Sequence, residues 1–269
     1  MYEDYEIERK AFQSRGRVFC IASAGCTAMA LCGEHDVVAC DINPTQLAYA
    51  QRRAEGGTPE IGDAERAMSV ARAGMPLVGW TSGAVGTFLG LRDVKEQAAF
   101  WREHLDTRRF RAGFDVLMSP AILRFVYAPA FLAFLPTRFG AVLRRRLERN
   151  FARHPNLTNP YAQALFRGPA ADVLSQTNRI QLVLGDAASH LESCTAGSFD
   201  AFSLSNILDG ATPSYQQRLF RAVRRAASKD AIVVLRSFGE PETQLTSNRA
   251  ADDRAMFWGV VDVRSADSL

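Results

Sequence analysis

Several things are scarce in this 269-residue chain, and each shortage removes a class of protein. Thirty-two basic against 29 acidic residues leave a net charge of only +3, so no nucleic-acid partner is expected. The opening Met1-Tyr2-Glu3-Asp4-Tyr5 is acidic, and the apolar stretch of a secretory signal does not follow it. The five cysteines are an odd number, with no C-x-x-C pair and no histidine pattern beside them. Without a secretory signal this reads as reduced thiols in a cytoplasmic protein, with no metal site expected. Cys20 and Cys40 sit in apolar runs, where cysteine behaves as a small core residue. No internal repeat and no low-complexity tract is visible. The stretch from Val116 to Leu135 is apolar, but Pro120, Arg124 and Pro129 interrupt it and make it a poor membrane span.

What is present is an alternation of buried strands and helices. Val18 to Ala22 is apolar and ends in the turn Ser23-Ala24-Gly25, and Cys26 to Leu31 then reads as a helix. Val37 to Cys40 reads as a second strand ending at Asp41. Pro44 suits the first turn of the helix that follows, and Gly56-Gly57 breaks it. This β-α-β-α order implies a parallel sheet with right-handed crossovers. From about Thr58 to Ser175 the pattern is helical and rich in proline and arginine. Strands resume at 179–186, 199–206 and 231–236, with an amphipathic helix from Pro213 to about Ala227 and a last edge strand expected at 257–263. The expected fold is therefore α/β: a Rossmann-like doubly wound sheet with a mostly helical insertion between the second and third strands. Residues 1–57 and 176–269 are expected to form the cofactor-binding unit, and residues 58–175 a substrate-covering insertion.

In such sheets ligands gather at the carboxyl ends of the strands. Here those ends carry Ser23, Ala24 and Gly25, then Asp41, then Asp186, then Ser205 and Asn206. Asn43, Gln46 and Ala187 adjoin them and belong to the same expected site. Gly25 lets the backbone approach a ligand closely. Asp41, a short helix beyond it, is placed to accept both hydroxyls of a ribose, and Asp186 to accept an adenine amine. A dinucleotide needs G-x-G-x-x-G to cradle its pyrophosphate, whereas Ser23-Ala24-Gly25-Cys26-Thr27-Ala28 has one glycine. S-Adenosylmethionine carries the adenosine without the phosphates, and it is the expected cofactor.

These residues resemble a family. Ile21 to Gly25 and Val38 to Leu47 are similar to the cofactor motifs of the BtaA-type S-adenosylmethionine:diacylglycerol 3-amino-3-carboxypropyl transferases. Asn159-Pro160-Tyr161, Leu165-Phe166, Gly185-Asp186, Ser198 to Ile207, Asp253-Arg254 and Phe257-Trp258-Gly259 continue the likeness in order. The resemblance implies a class I methyltransferase-type sheet. It also implies transfer of the cofactor's aminocarboxypropyl arm to a hydroxyl, with release of methylthioadenosine. The chain departs from the family in lacking a Gly- and Cys-containing middle segment, and in having Asn206 where an acid is expected. The acceptor is accordingly left as a small molecule or a diacylglycerol-like lipid with a free hydroxyl. A methyltransferase and a catalytically lapsed relative are the alternatives.

An alcohol acceptor needs a base beside the fourth strand. Asp209 is the first candidate, with Tyr215, His104 and His154 as alternatives, His104 reading more plainly as a surface or capping residue. The plainer readings are a turn at Asp209-Gly210 and loop punctuation at His154-Pro155. Apolar residues 116–135, followed by Arg138, Arg144, Arg145, Arg146, Arg149 and Arg153, suggest peripheral membrane contact through 116–153. The bland alternative is a buried helix followed by a solvated basic one.

Overall fold

The computed structural model describes residues 3–12, 16–57, 62–125, 127–168, 179–241 and 246–269. Six strands form one sheet: β1 (Arg17–Ile21), β2 (Asp36–Asp41), β3 (Ile180–Leu184), β4 (Phe199–Ser203), β5 (Ala227–Ser237) and β6 (Val260–Ser265). Their order is β3-β2-β1-β4-β5-β6. The first five run parallel, and β6 returns antiparallel along the edge of β5. The chain winds outward in both directions from β1, which makes the β1/β4 junction the point where strand order reverses. The Rossmann-like doubly wound sheet expected from the sequence is thus the one observed.

Side-chain alternation along the strands builds the two faces. Phe19 of β1 enters one core with Phe199, Phe202, Leu219 and Val223. Its neighbours Val18 and Cys20 enter the other, with Leu31, Val234 and Trp258. Buried on both faces, β1 reads as an unbroken apolar run, as a central parallel strand must. Helices α2 (Cys26–Leu31), α3 (Pro44–Ala54), α12 (Ala187–Ser193) and α13 (Pro213–Ala226) follow the strands. Asn43 caps α3 by accepting from the Thr45 amide at 3.0 Å, with Pro44 as the first helical residue. A first short helix, α1 (Glu6–Ala11), precedes the sheet.

Between α3 and β3 the described chain is helical: α4 (Asp63–Ala73), α5 (Ser82–Gly90), α6 (Val94–Phe100), α7 (Arg108–Leu117), α8 (Pro120–Leu123), α9 (Pro129–Phe134), α10 (Phe139–Phe151) and α11 (Pro160–Arg167). These helices gather a third core of aromatics around Trp80, Phe88, Trp101, Phe110, Phe151 and Phe166. The boundaries expected at 58 and at 175–176 fall outside the described residues.

Two expectations need correction. The strand expected at 199–206 stops at Ser203, because Ser205 takes a left-handed backbone with φ 51°. The arginines of α10 and the turn after it form only in part a solvated basic face: Arg145 and Arg153 are exposed, whereas Arg146 and Arg149 turn inward. Arg146, only 3% exposed, donates to the carbonyls of Phe238, Gly239 and Phe257 and to Glu240. Arg149 donates to the Ala250 and Trp258 carbonyls, Arg153 pairs with Asp252, and Arg144 pairs with Asp115. The carbonyls around the end of β5 and the start of β6 draw Arg146 and Arg149 inward, so these two members of the basic run are scaffold.

Candidate functional site

The carboxyl ends of β1, β2 and β4 converge on one constellation. The turn after β1 holds Ser23 at φ 46° and Gly25 at φ 81°, and a Cβ added to Gly25 would lie 3.2 Å from the Ala50 Cβ. Ser23 and Ser205 are thus both left-handed, one at each side of the strand-order reversal. A non-glycine residue in that region costs energy and survives only where its surroundings fix it, commonly at functional sites.

Asp41, half-buried at the end of β2, ties the strand ends together. Its carboxylate accepts from the Ser23 amide at 2.9 Å and from the Asn43 amide at 2.8 Å. The Gly25 amide turns inward to the Ala22 carbonyl at 2.7 Å. Two of the turn's amides are therefore committed within the protein, which leaves this turn poorly suited to cradling a pyrophosphate. The Ala24 carbonyl accepts from Arg53 at 2.6 Å. Beside Asp41, Ile42 is 73% exposed, and Leu184 at the end of β3 is 59% exposed. Two large apolar side chains left open at neighbouring strand ends offer surface to a flat heterocycle. Asn43 and Gln46 are exposed at the start of α3.

Asp186 is more occupied than the sequence suggests. It caps α12 by accepting from the Ser189 amide at 2.9 Å and hydroxyl at 2.8 Å, and it accepts the Tyr215 hydroxyl at 2.6 Å. Arg218 adds a longer contact of 3.4 Å. Burial pushes the Asp186 carboxyl up, but the bonds from Tyr215 and Ser189 outweigh it and hold the group below its ordinary range. Burial and the Asp186 bond raise the Tyr215 phenol. The two candidates Asp186 and Tyr215 thus meet as partners of each other, joining α12 to α13. Ala187 is buried at the start of α12.

At the end of β4, Ser205 is buried, and its hydroxyl donates to the Glu3 carboxylate. Asn206 Nδ2 donates to Asp209 at 3.3 Å, and Asp209 also accepts from the Phe238 amide at 3.0 Å. Burial raises the Asp209 carboxyl above its ordinary value, against the lowering by these bonds and by Arg146. Helix α9 packs on this loop: a Cβ on Gly210 would come within 3.2 Å of the Ala130 carbonyl. Phe131 and Phe139 meet Phe238 edge-on, with ring centroids 5.8 and 6.1 Å apart, so the end of β5 beside Asp209 has apolar walls. His154 stands apart from the cluster. Its Nε2 lies 3.0 Å from the Ala251 carbonyl, and burial lowers its pKa.

The sequence reading missed the N-terminal acids. Glu3 spans the reversal point, accepting from Ser205 and from Thr27 Oγ1 at 3.3 Å. Asp4 accepts two bonds of 2.6 Å from the Arg254 guanidinium, and Glu8 accepts from Arg236 and Ser203. The Tyr161 hydroxyl donates to the Glu3 carbonyl at 2.7 Å. One signal was available: Arg236 directly follows the apolar run Ala231 to Leu235 of β5, and a charge buried there requires a partner. Two shallow depressions lie at the opposite, amino ends of the strands, one beside Arg17 and Asp36, the other beside Asp200 and Lys229. They contain none of the candidate residues.

No protein-family profile matches the chain, and no curated protein does. Among solved structures it is similar to a candidate S-adenosyl-L-methionine-dependent methyltransferase from Methanococcus maripaludis, at 9% identity and a TM-score of 0.37. That match covers 86% of this chain and 52% of the other. A candidate methyltransferase from Bacillus halodurans gives 11% identity and a TM-score of 0.37 over 89% and 53% of the two chains. The rRNA methyltransferase aviRa from Streptomyces viridochromogenes gives 13% and 0.34 over 91% and 76%. The chain spans about half the length of the first two. Likeness this distant carries no argument about chemistry. The protein's class is defined by its own sheet: a doubly wound α/β fold with a polar constellation at the strand-order reversal.

Proposed function

We propose that this protein is an S-adenosylmethionine-dependent transferase that moves the 3-amino-3-carboxypropyl arm to an acceptor hydroxyl and releases methylthioadenosine. The observation that carries the cofactor reading is Asp41. Its carboxylate is fixed by two backbone amides at the end of β2, with lone pairs remaining for ribose hydroxyls and the open Ile42 beside it. Choice of the aminocarboxypropyl arm over the methyl rests on the sequence resemblance. When bound, the cofactor supplies a carbon made electrophilic by its sulfonium. The chain's own residues have two tasks: to orient the acceptor and to take its proton. Asp209 suits the second, because its raised pKa brings a carboxylate nearer to neutrality, where a general base works best. Helices α4 to α11 serve as the acceptor cover, with Phe131 and Phe139 as apolar walls.

The inward turn of Arg146 and Arg149 favours a small-molecule acceptor, since it removes two cations from the surface an anionic membrane would meet. Val116, Ile122 and Phe125, exposed at 64%, 41% and 76%, favour the second reading, a lipid acceptor drawn from a membrane surface. Among the described residues no helix is long and apolar enough to cross a membrane. Isothermal titration of the purified protein tests the cofactor reading: S-adenosylmethionine is expected to bind and NAD is not. The reverse preference would overturn it.

A further inference from the structure

The N-terminal segment places three acids in the protein interior, and they are not treated alike. Asp4, 1% exposed, is met by the Arg254 guanidinium, and Glu8, fully buried, by Arg236. Glu3 is 5% exposed, yet it has no cationic partner among the described residues. Its carboxylate is met by two hydroxyls, Ser205 Oγ from the end of β4 and Thr27 Oγ1 from α2. A buried carboxylate is costly unless it is paired. Among the described residues Glu3 makes no ion pair of its own, and the nearby Arg236, which attracts it, is shared with Glu8 and Asp253, so its charge is only partly compensated. Its position is specific. It bridges the reversal point between β1 and β4, where a ligand of this fold is expected, joining Ser205 after β4 to Thr27 of α2. Around the β1 turn, from Ala22 to Ala28, the chain itself supplies no acid.

We infer that Glu3 is the counter-charge for a cationic ligand group at this junction, namely the ammonium of the cofactor's amino-acid arm. The inference rests on the S-adenosylmethionine reading and extends it to the arm, which needs an acceptor for its ammonium if it is to be held for transfer. Two of the carboxylate's four lone-pair positions are taken by Ser205 and Thr27, and two remain for N–H donors. The bonds of Asp4 to Arg254 and of Tyr161 to the Glu3 carbonyl hold the segment in place, so Glu3 is positioned before the ligand arrives.

Titration of wild-type and Glu3→Gln protein with three nucleosides tests this. S-Adenosylmethionine and S-adenosylhomocysteine carry the ammonium, and methylthioadenosine lacks the whole arm. Loss of one charge-assisted bond is expected to weaken the first two by about tenfold or more and to leave methylthioadenosine within about twofold. Equal weakening of all three, or none, would overturn the assignment. Should Glu3→Gln fail to fold, wild-type protein suffices. Its affinity for N-acetyl-S-adenosylhomocysteine is expected to be about tenfold below that for S-adenosylhomocysteine, and equal affinities contradict the inference. Wild-type protein that binds none of the nucleosides removes the cofactor reading and this inference together. Wild-type binding with no ammonium dependence removes this inference alone.

Discussion

Arg236 at the end of β5 donates to both carboxylate oxygens of Glu8, at 2.5 and 2.9 Å, with neither side chain reaching solvent. The pair joins residues 228 positions apart, and Ser203 of β4 adds a third bond to Glu8 at 2.7 Å. It anchors α1 to the centre of the sheet and thereby sets the height of Glu3 over the strand ends. Removing one partner of such a pair strands the other charge, which typically costs about 3–5 kcal/mol. Glu8→Ala is therefore expected to lower stability by that order in urea unfolding. A loss below about 1 kcal/mol would show that the pair is not what holds the segment.

Asp41 makes a sharper prediction about binding. Asp41→Ala is expected to weaken S-adenosylmethionine binding by about 1.5–3 kcal/mol in calorimetry, with the far-ultraviolet dichroism unchanged. Asp41→Asn keeps an acceptor for one of the two amides and is expected to preserve the turn better while still losing affinity. Full affinity in both variants contradicts the ribose assignment.

The strands were legible because a central parallel strand buries both faces and so reads as an uninterrupted apolar run, as at Val18 to Ala22 and Val37 to Cys40. Asp41 was legible for a related reason, since a carboxylate that closes such a run marks a strand's carboxyl end. Glu3, Asp4 and Glu8 were not, because an acidic opening reads locally as solvated chain. Their partners Ser205, Arg254 and Arg236 lie some two hundred residues away. Arg146 and Arg149 of α10 were not legible as scaffold for the opposite reason. Side-chain spacing reveals a cluster of charge, but not the backbone carbonyls that later strands bring to it. Asp186 shows the same limit: its place after β3 was visible, its commitment to Tyr215 was not.

Asp209 predicts a pH dependence. A base works ionised, and burial raises this carboxyl. Activity is expected to increase with pH through a midpoint above the ordinary aspartate value of about 4. Asp209→Asn is expected to abolish that acidic limb and to lower kcat/KM by about a hundredfold or more. A variant with the wild-type profile would place the base elsewhere.

Vesicle co-sedimentation separates the acceptor classes. The small-molecule reading predicts no binding of the protein to anionic vesicles at about 0.05 or 0.2 M salt. Binding that weakens between those concentrations would favour the lipid reading, because exposed charges are screened within about 10 Å at 0.1 M. Phe125→Ser, at the most exposed aromatic of that region, is then expected to weaken it.

Mass spectrometry of the nucleoside formed from S-adenosylmethionine reads the fate of the cofactor directly. Purified protein, supplied with the cofactor and a metabolite extract as the source of acceptor, is expected to release methylthioadenosine in amounts that rise with acceptor and fall in Asp209→Asn. S-Adenosylhomocysteine as the nucleoside product would contradict the account and make this protein a methyltransferase.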